Sequence, residues 1–127
     1  MDYLLDTNFL INYFKGSFEG NASLIADSII NQTTYISVIT RIELLGWKSI
    51  VAEDENIIRE FISDSIVFSL EESIIIRTIS LRKNIKIKVP DAIIAATALE
   101  HNLQLLTHNI KDFKNVPGLI VINANNL

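Results

Sequence analysis

Five short apolar or β-branched runs, each too brief to form a helix alone, alternate with segments whose apolar residues return every three or four positions. The runs are residues 2–5, 33–37, 66–68, 103–106 and 119–122, and they read as strands. After the first, Phe9, Leu10, Tyr13 and Phe14 fall at helical spacing, and Gly16 ends that helix. A second helix is expected over 21–31, with Leu24, Ile25, Ser28 and Ile29 on one face. Ser37 or Thr40 caps a third, which carries Ile42, Glu43, Leu44, Leu45 and Trp47. A fourth over 55–63 turns Ile58, Phe61 and Ile62 inward. Ser69 followed by Glu72 has the form of a capping box, opening a helix that runs through Leu81. Pro90 suits the first turn of a helix over 91–100, apolar nearly all round and so expected to be buried. A polar turn follows the fourth strand through Asp112. Strands alternating with helices imply βαβ units, whose parallel sheet carries helices on both faces. The expected fold class is therefore α/β.

The 127 residues suit a single domain over 1–127. With 49% hydrophobic and 20% charged residues, the chain is not a disordered segment. Charges break each apolar stretch well short of the roughly 18 residues a membrane span needs. No basic region precedes the apolar run in Met1-Asp2-Tyr3-Leu4-Leu5-Asp6, so a cytoplasmic location without membrane contact is expected. The absence of cysteine excludes disulfides, thiolate metal sites and a cysteine nucleophile. Two histidines, His101 and His108, are too few for a three-histidine zinc site. Four glycines make no phosphate-binding loop, since no Lys-Ser/Thr follows Gly16 or Gly20. Any catalysis then falls to carboxylates, with a hard cation as their natural companion. The net charge of −4 argues against a nucleic-acid partner, because phosphate binding usually leaves a basic signature.

Open parallel sheets bind ligands outside the carboxyl ends of their strands. Asp6 ends the first strand, and Glu43 lies in the helix after the second. Asp91 opens the buried helix that feeds the fourth, while Asn109 and Asp112 follow that strand's end at Thr107. Like charges gathered at one edge repel unless a cation joins them. Oxygen donors without thiolate or imidazole suit Mg²⁺ or Mn²⁺. Simpler roles compete residue by residue. Asp6 suits a helix cap, and Asp91 suits the positive end of a helix dipole. Asn109 suits a turn, and Asp112 a solvated or capping position. Glu43 resists such a role, because Ile42, Leu44 and Leu45 around it are apolar.

Four blocks in order resemble the PIN-domain ribonucleases: Leu4-Leu5-Asp6-Thr7-Asn8, the segment from Ser37 to Leu44, the segment from Pro90 to Ala98, and the segment from Leu106 to Phe113. Val116-Pro117-Gly118-Leu119 lies just beyond. The chain's length is similar to that of the small VapC-type toxins of bacterial toxin–antitoxin pairs. This resemblance implies a three-layer α/β/α domain around a central parallel sheet of about four to five strands. It implies Mg²⁺- or Mn²⁺-dependent cleavage of RNA, with Asp6, Glu43 and Asp91 as acidic metal ligands. The fourth polar position falls on Asn109 or Asp112, and Thr7 and Thr107 resemble supporting hydroxyls. A cognate antitoxin and a homodimer are the implied partners.

Asp6 and Asp91 are expected to hold an ion against a phosphate oxygen, with Glu43, alone or together with Asp112, holding a second ion or placing the attacking water. Arg82, Lys83, Lys86 and Lys88 form a basic cluster, read either as a solvated helix end and loop or as an RNA backbone track. Trp47 suits the core or a partner contact better than base stacking. A stand-alone PIN nuclease of RNA processing is the alternative within the family. A phosphatase with an aspartyl nucleophile wants a second acid two residues after the first, where Asn8 stands. A phosphorylated receiver wants an acidic pair ending strand one and a site Asp on strand three, where Asp6 stands alone and Phe68 ends the strand.

Overall fold

A computed structural model describes residues 2–127; Met1, the first residue of the N-terminal segment considered above, lies outside the described residues. The five strands are β1 (Tyr3–Leu5), β2 (Tyr35–Ser37), β3 (Ile66–Phe68), β4 (Gln104–Thr107) and β5 (Val121–Asn123). All pair in parallel in the order β3-β2-β1-β4-β5. The chain moves outward from β1 to β3, then crosses back to place β4 on the other side of β1. That reversal puts the topological switch between β1 and β4, where such sheets open a crevice.

Helices α1 (Thr7–Phe14), α2 (Gly20–Ile30), α3 (Val38–Leu45) and α4 (Ala52–Asp64) precede the reversal; α5 (Glu72–Asn84), α6 (Val89–Glu100) and α7 (Ile110–Phe113) follow it. Right-handed crossovers running in opposite directions lie on opposite sheet faces, and the core divides accordingly. Leu4 and Leu105 join Ile74, Ala95 and Phe113 on one face. Leu5 and Leu106 join Phe9, Leu44 and Ile58 on the other. The period-two alternation of adjacent leucines thus seals both layers, each fully buried leucine contributing about 1.5–3 kcal/mol. The expected three-layer architecture is present.

Local departures have identifiable causes. Helix α2 is rotated from the expected face: Ala26 is fully buried, while Leu24 and Ile25 are 67% and 43% exposed. The small Ala26 permits close approach, and Tyr13 Oη donates to Asp27 Oδ1 at 2.7 Å, which fixes the helix's rotation against α1. Helix α4 begins earlier, at Ala52, because Glu53, Asp54 and Glu55 in its first turn complement the helix dipole. The Ser69–Glu72 capping box does not form. Glu71 is the N-cap residue, without a side-chain cap bond, and the Glu71 N–H turns back to the Ser69 carbonyl at 3.0 Å. The polar turn before Asp112 closes into the short helix α7, where the fully buried Phe113 anchors an otherwise polar turn. Helix α6 meets expectation: Pro90 stands in its first turn and Ala92 through Ala98 are buried.

Candidate active site

The pairing of β1 with β4 determines where carboxylates converge. Leu5 is in register with Leu106, so Asp6 and Thr107 emerge side by side at the carboxyl ends of neighbouring strands. The Asp6 N–H continues the ladder to the Leu106 carbonyl at 3.0 Å. The Thr107 hydroxyl donates to Asp6 Oδ2 at 2.7 Å, and both residues are buried. Asp6 occupies the N-cap position of α1, yet its side chain makes no cap bond. The capping role considered for its carboxylate is therefore not the one it plays. Burial pushes the Asp6 carboxyl up from 3.8 to about 6; hydrogen bonds from the Thr107 hydroxyl and the Thr7 backbone oppose the rise, and the charges of Asp91 and Glu43 add to it.

Helix α3 springs directly from β2. Ser37 Oγ accepts from the Ile39 N–H at 3.1 Å, so Ser37 is the cap. Thr40 is left to pack inward, fully buried, one turn before Glu43. The Thr7 hydroxyl donates to Glu43 Oε1 at 2.7 Å and stands 3.0 Å from Thr40 Oγ1. Glu43 itself is exposed, which explains how a carboxylate is tolerated among Ile42, Leu44 and Leu45. Asp91 lies in the first turn of α6, half-buried. Burial raises its proton affinity, the charges of Asp112 and Glu43 raise it further, and Lys88 opposes them.

A cleft of about 500 Å³ is lined by Asp6, Thr7, Asn8, Glu43, Trp47 and Asp91. Asp91 also borders a second groove of about 340 Å³, which contains Asp112. Asp6, Glu43 and Asp91 thus share one cleft, and Asp112 faces Asp91 from the adjoining one. Asn109 is exposed and lines neither. Its backbone N–H donates to Thr107 Oγ1 at 2.9 Å, so Thr107 links this turn to Asp6. Trp47 is partly buried against the core beside α1 and also lines the cleft, with Lys15 Nζ 5.8 Å from the centre of its ring.

Among the described residues, no three His, Cys, Asp or Glu side chains stand close enough to form a ready metal cage. The donor set nonetheless fits Mg²⁺, which keeps several waters and is commonly held by one or two carboxylates. All the acidic groups are oxygen donors, and Asp6 and Asp91 each feel neighbouring negative charge.

Sequence reasoning missed Thr40, whose only signal is its place one turn before Glu43. It also missed Lys111, which reaches the groove containing Asp112 from a segment read as a turn. His108 belongs to the packing: its ring lies 6.2 Å from that of Phe9 and 5.5 Å from that of Phe18, and burial lowers its proton affinity.

The family model of the PIN domain matches residues 3–119. Ribonuclease VapC2 of Rickettsia felis is 33% identical over 134 aligned positions, covering 97% of this chain and 98% of that protein. A toxin–antitoxin complex from Klebsiella pneumoniae aligns at 34% identity with a TM-score of 0.75, over 95% of this chain and 97% of that one. The DNA-bound VapBC complex from Salmonella typhimurium aligns at 25% identity with a TM-score of 0.79, over 98% of both chains. No helix among the described residues is long and apolar enough to cross a membrane. A sheet that reverses at β1/β4, carboxylates at that crevice and a family match across nearly the whole length agree: the chain belongs to the PIN domain family.

Proposed function

We propose that this chain is a divalent-metal-dependent endoribonuclease, acting as the toxin of a toxin–antitoxin pair. The observation that carries the reading is the convergence of Asp6, Glu43 and Asp91 on one cleft at the topological switch. Its relatives named as VapC ribonucleases and its likeness to VapBC complexes support both the activity and the pairing.

Asp6 and Asp91 are the residues that hold Mg²⁺ or Mn²⁺, with Asp112 as the added carboxylate across from Asp91. The ion, when bound, supplies positive charge against a phosphate oxygen and makes water a stronger nucleophile near neutral pH. The rest of the chemistry belongs to the chain. Thr107 holds Asp6 Oδ2, and so fixes the buried carboxylate's direction. Thr7 holds Glu43 Oε1, leaving Oε2 to accept a hydrogen bond from the attacking water and align it with the scissile phosphorus. Asn109 steadies the Thr107 hydroxyl through its backbone.

The antitoxin is expected to cover the acidic cleft with an arginine or lysine, since a guanidinium can bind two carboxylate oxygens at once. A further cleft of about 510 Å³ is lined by Tyr13, Phe14 and Phe18, with Glu60 and Asp64 also on its wall, and suits an amphipathic cationic segment of the same partner. Exposed Ile76 and Ile79 on α5 support pairing with a second copy of the chain.

The test is cleavage of single-stranded RNA by the purified chain in Mg²⁺, in Mn²⁺ and in excess EDTA. Cleavage in either metal and none in EDTA is expected. Asp91→Asn should abolish cleavage while the fold, followed by circular dichroism, is retained. Full activity in EDTA, or in Asp91→Asn, would reject the assignment.

A further inference from the structure

The groove next to the acidic cleft has the opposite electrical character. Six of the chain's eleven Lys and Arg residues fall in two short segments: Arg82, Lys83, Lys86 and Lys88 in one, Lys111 and Lys114 in the other. These segments are remote in sequence, yet Arg82, Lys86, Lys88 and Lys111 line one groove of about 340 Å³, together with Asp91 and Asp112. Helix α4 shows the contrast, with five acids (Glu53, Asp54, Glu55, Glu60 and Asp64) against the single cation Arg59. The net charge of −4 therefore conceals a local positive strip that begins at Asp91.

The strip has a built geometry. Residues 85–88 read Ile-Lys-Ile-Lys, with extended backbone at Ile85 and Lys88. Ile87 is buried and Ile85 partly so, packed against the core, while Lys86 and Lys88 are exposed. Alternation along extended backbone puts both lysines on one side, with their Cα atoms about 6.6 Å apart at about 3.3 Å per residue. That interval is close to the spacing of successive phosphates along an extended nucleic-acid strand. Arg82 holds the segment in place, because its guanidinium donates to the Ile87 carbonyl. Four further guanidinium hydrogens remain for other acceptors. Lys111, on α7, faces the segment from the other wall.

We propose that this groove is the track for the RNA strand on one side of the cut, with Lys86, Lys88 and Lys111 neutralising consecutive phosphates as the strand leaves Asp91. Arg82 is a positioning residue that keeps the two lysines in register. The proposal rests on the ribonuclease reading and deepens it: the substrate is a single strand held by its backbone, entering the site in one direction. Phosphate contacts of this kind give affinity and register without base recognition.

The experiment measures binding of an end-labelled single-stranded RNA to the full chain in EDTA, across a range of salt, alongside cleavage in Mg²⁺. Lys86→Ala/Lys111→Ala is compared with wild type and with Arg59→Ala, a charge removed on α4 outside the groove. Each phosphate released from a single strand lowers the slope of log affinity against log salt by about 0.7, so losing two contacts should flatten it by about 1.4. At about 0.1 M salt this corresponds to binding about 25-fold weaker. KM should rise by a similar factor with kcat unchanged, and Arg59→Ala should behave as wild type. An Arg82→Lys variant should retain more affinity than Arg82→Ala, because a cation remains to donate to the loop. Wild-type affinity and slope in the double variant, with RNA still cleaved, would overturn the track and leave the ribonuclease assignment intact. So would a double variant that binds RNA normally but no longer co-purifies with its protein partner, since the groove then serves that partner. A wild-type chain that neither binds nor cleaves RNA in metal would overturn the ribonuclease reading itself, and the track with it.

Discussion

Thr107 and Asp6 stand 101 positions apart in sequence, yet the threonine hydroxyl donates to the buried aspartate at 2.7 Å. The same oxygen of Thr107 accepts the Asn109 N–H at 2.9 Å. One hydroxyl thus ties the end of β4, the turn into α7 and the first acidic residue into a single arrangement. Replacing it with the isosteric Thr107→Val leaves a buried carboxylate oxygen and a backbone N–H without this partner. A loss of about 1–3 kcal/mol is expected, read as a lower denaturant midpoint with an unchanged slope. A wild-type midpoint would mean that water replaces the hydroxyl at no cost.

Asp6 predicts an inverted pH response of the metal-free fold. Its folded value of about 6 lies above the ordinary 3.8, so the folded chain prefers the protonated form. The ionised carboxylate therefore subtracts stability: nothing is lost below about pH 4, and the penalty grows as pH rises through about 6. In EDTA, Asp6→Asn should be more stable than wild type by about 2–3 kcal/mol above pH 7 and no more stable below pH about 4. The amide oxygen can still accept from Thr107. Urea titrations at the two pH values check this, and equal differences at both would refute it. Added Mg²⁺ should raise the melting temperature of wild type and leave that of Asp6→Asn unchanged.

Tyr13 makes a second pH prediction of the same sense, at higher pH. Burial pushes its hydroxyl up to about 12, with the Asp27 hydrogen bond and charge adding to the shift. The neutral phenol's contribution is present below about pH 10 and disappears as pH rises through about 12. Tyr13→Phe should cost about 1 kcal/mol and remove the latest-titrating component from the ultraviolet phenolate curve. Loss of a component titrating at about pH 10 instead would show that the hydroxyl does not hold Asp27 in solution.

Asp112 and Asn109 separate on metal dependence. Asp112 faces Asp91 closely enough for its charge to raise that residue's proton affinity, whereas Asn109 is exposed. Asp112→Asn should raise the Mg²⁺ concentration for half-maximal cleavage about tenfold, because a divalent ion gains more from a carboxylate than from an amide. Asn109→Ala should instead lower the rate at saturating Mg²⁺. An unshifted metal titration for Asp112→Asn would restrict the acidic set to Asp6, Glu43 and Asp91.

The strands and the buried helix α6 were legible in the sequence because their signals are local: β-branched runs, Pro90 and a continuous apolar stretch. The rotation of α2 was not, since it is tied to a distant residue, Tyr13, whose hydroxyl holds Asp27 next to the buried Ala26. The capping box fails for a related reason: the Ser69 carbonyl is engaged in a turn to Glu71, and Glu71 takes the N-cap position. At the candidate site, Asp6, Glu43 and Asp91 are marked by their places relative to strand ends. Thr40 and Lys111 acquire meaning only from neighbours in space, Thr7 in one case and the 85–88 segment in the other.

The crossing from β3 to β4 has a consequence in time as well as in space. Asp6 and Glu43 belong to the first part of the chain to be synthesised, but the crevice between them and Asp91 exists only once β4 has inserted beside β1. A nascent chain that has not yet released residue 107 has no partner for Asp6 and no completed edge on which to place a substrate. Catalytic competence therefore arrives late and all at once, with the pairing of a late strand rather than with the first acidic residues to be made.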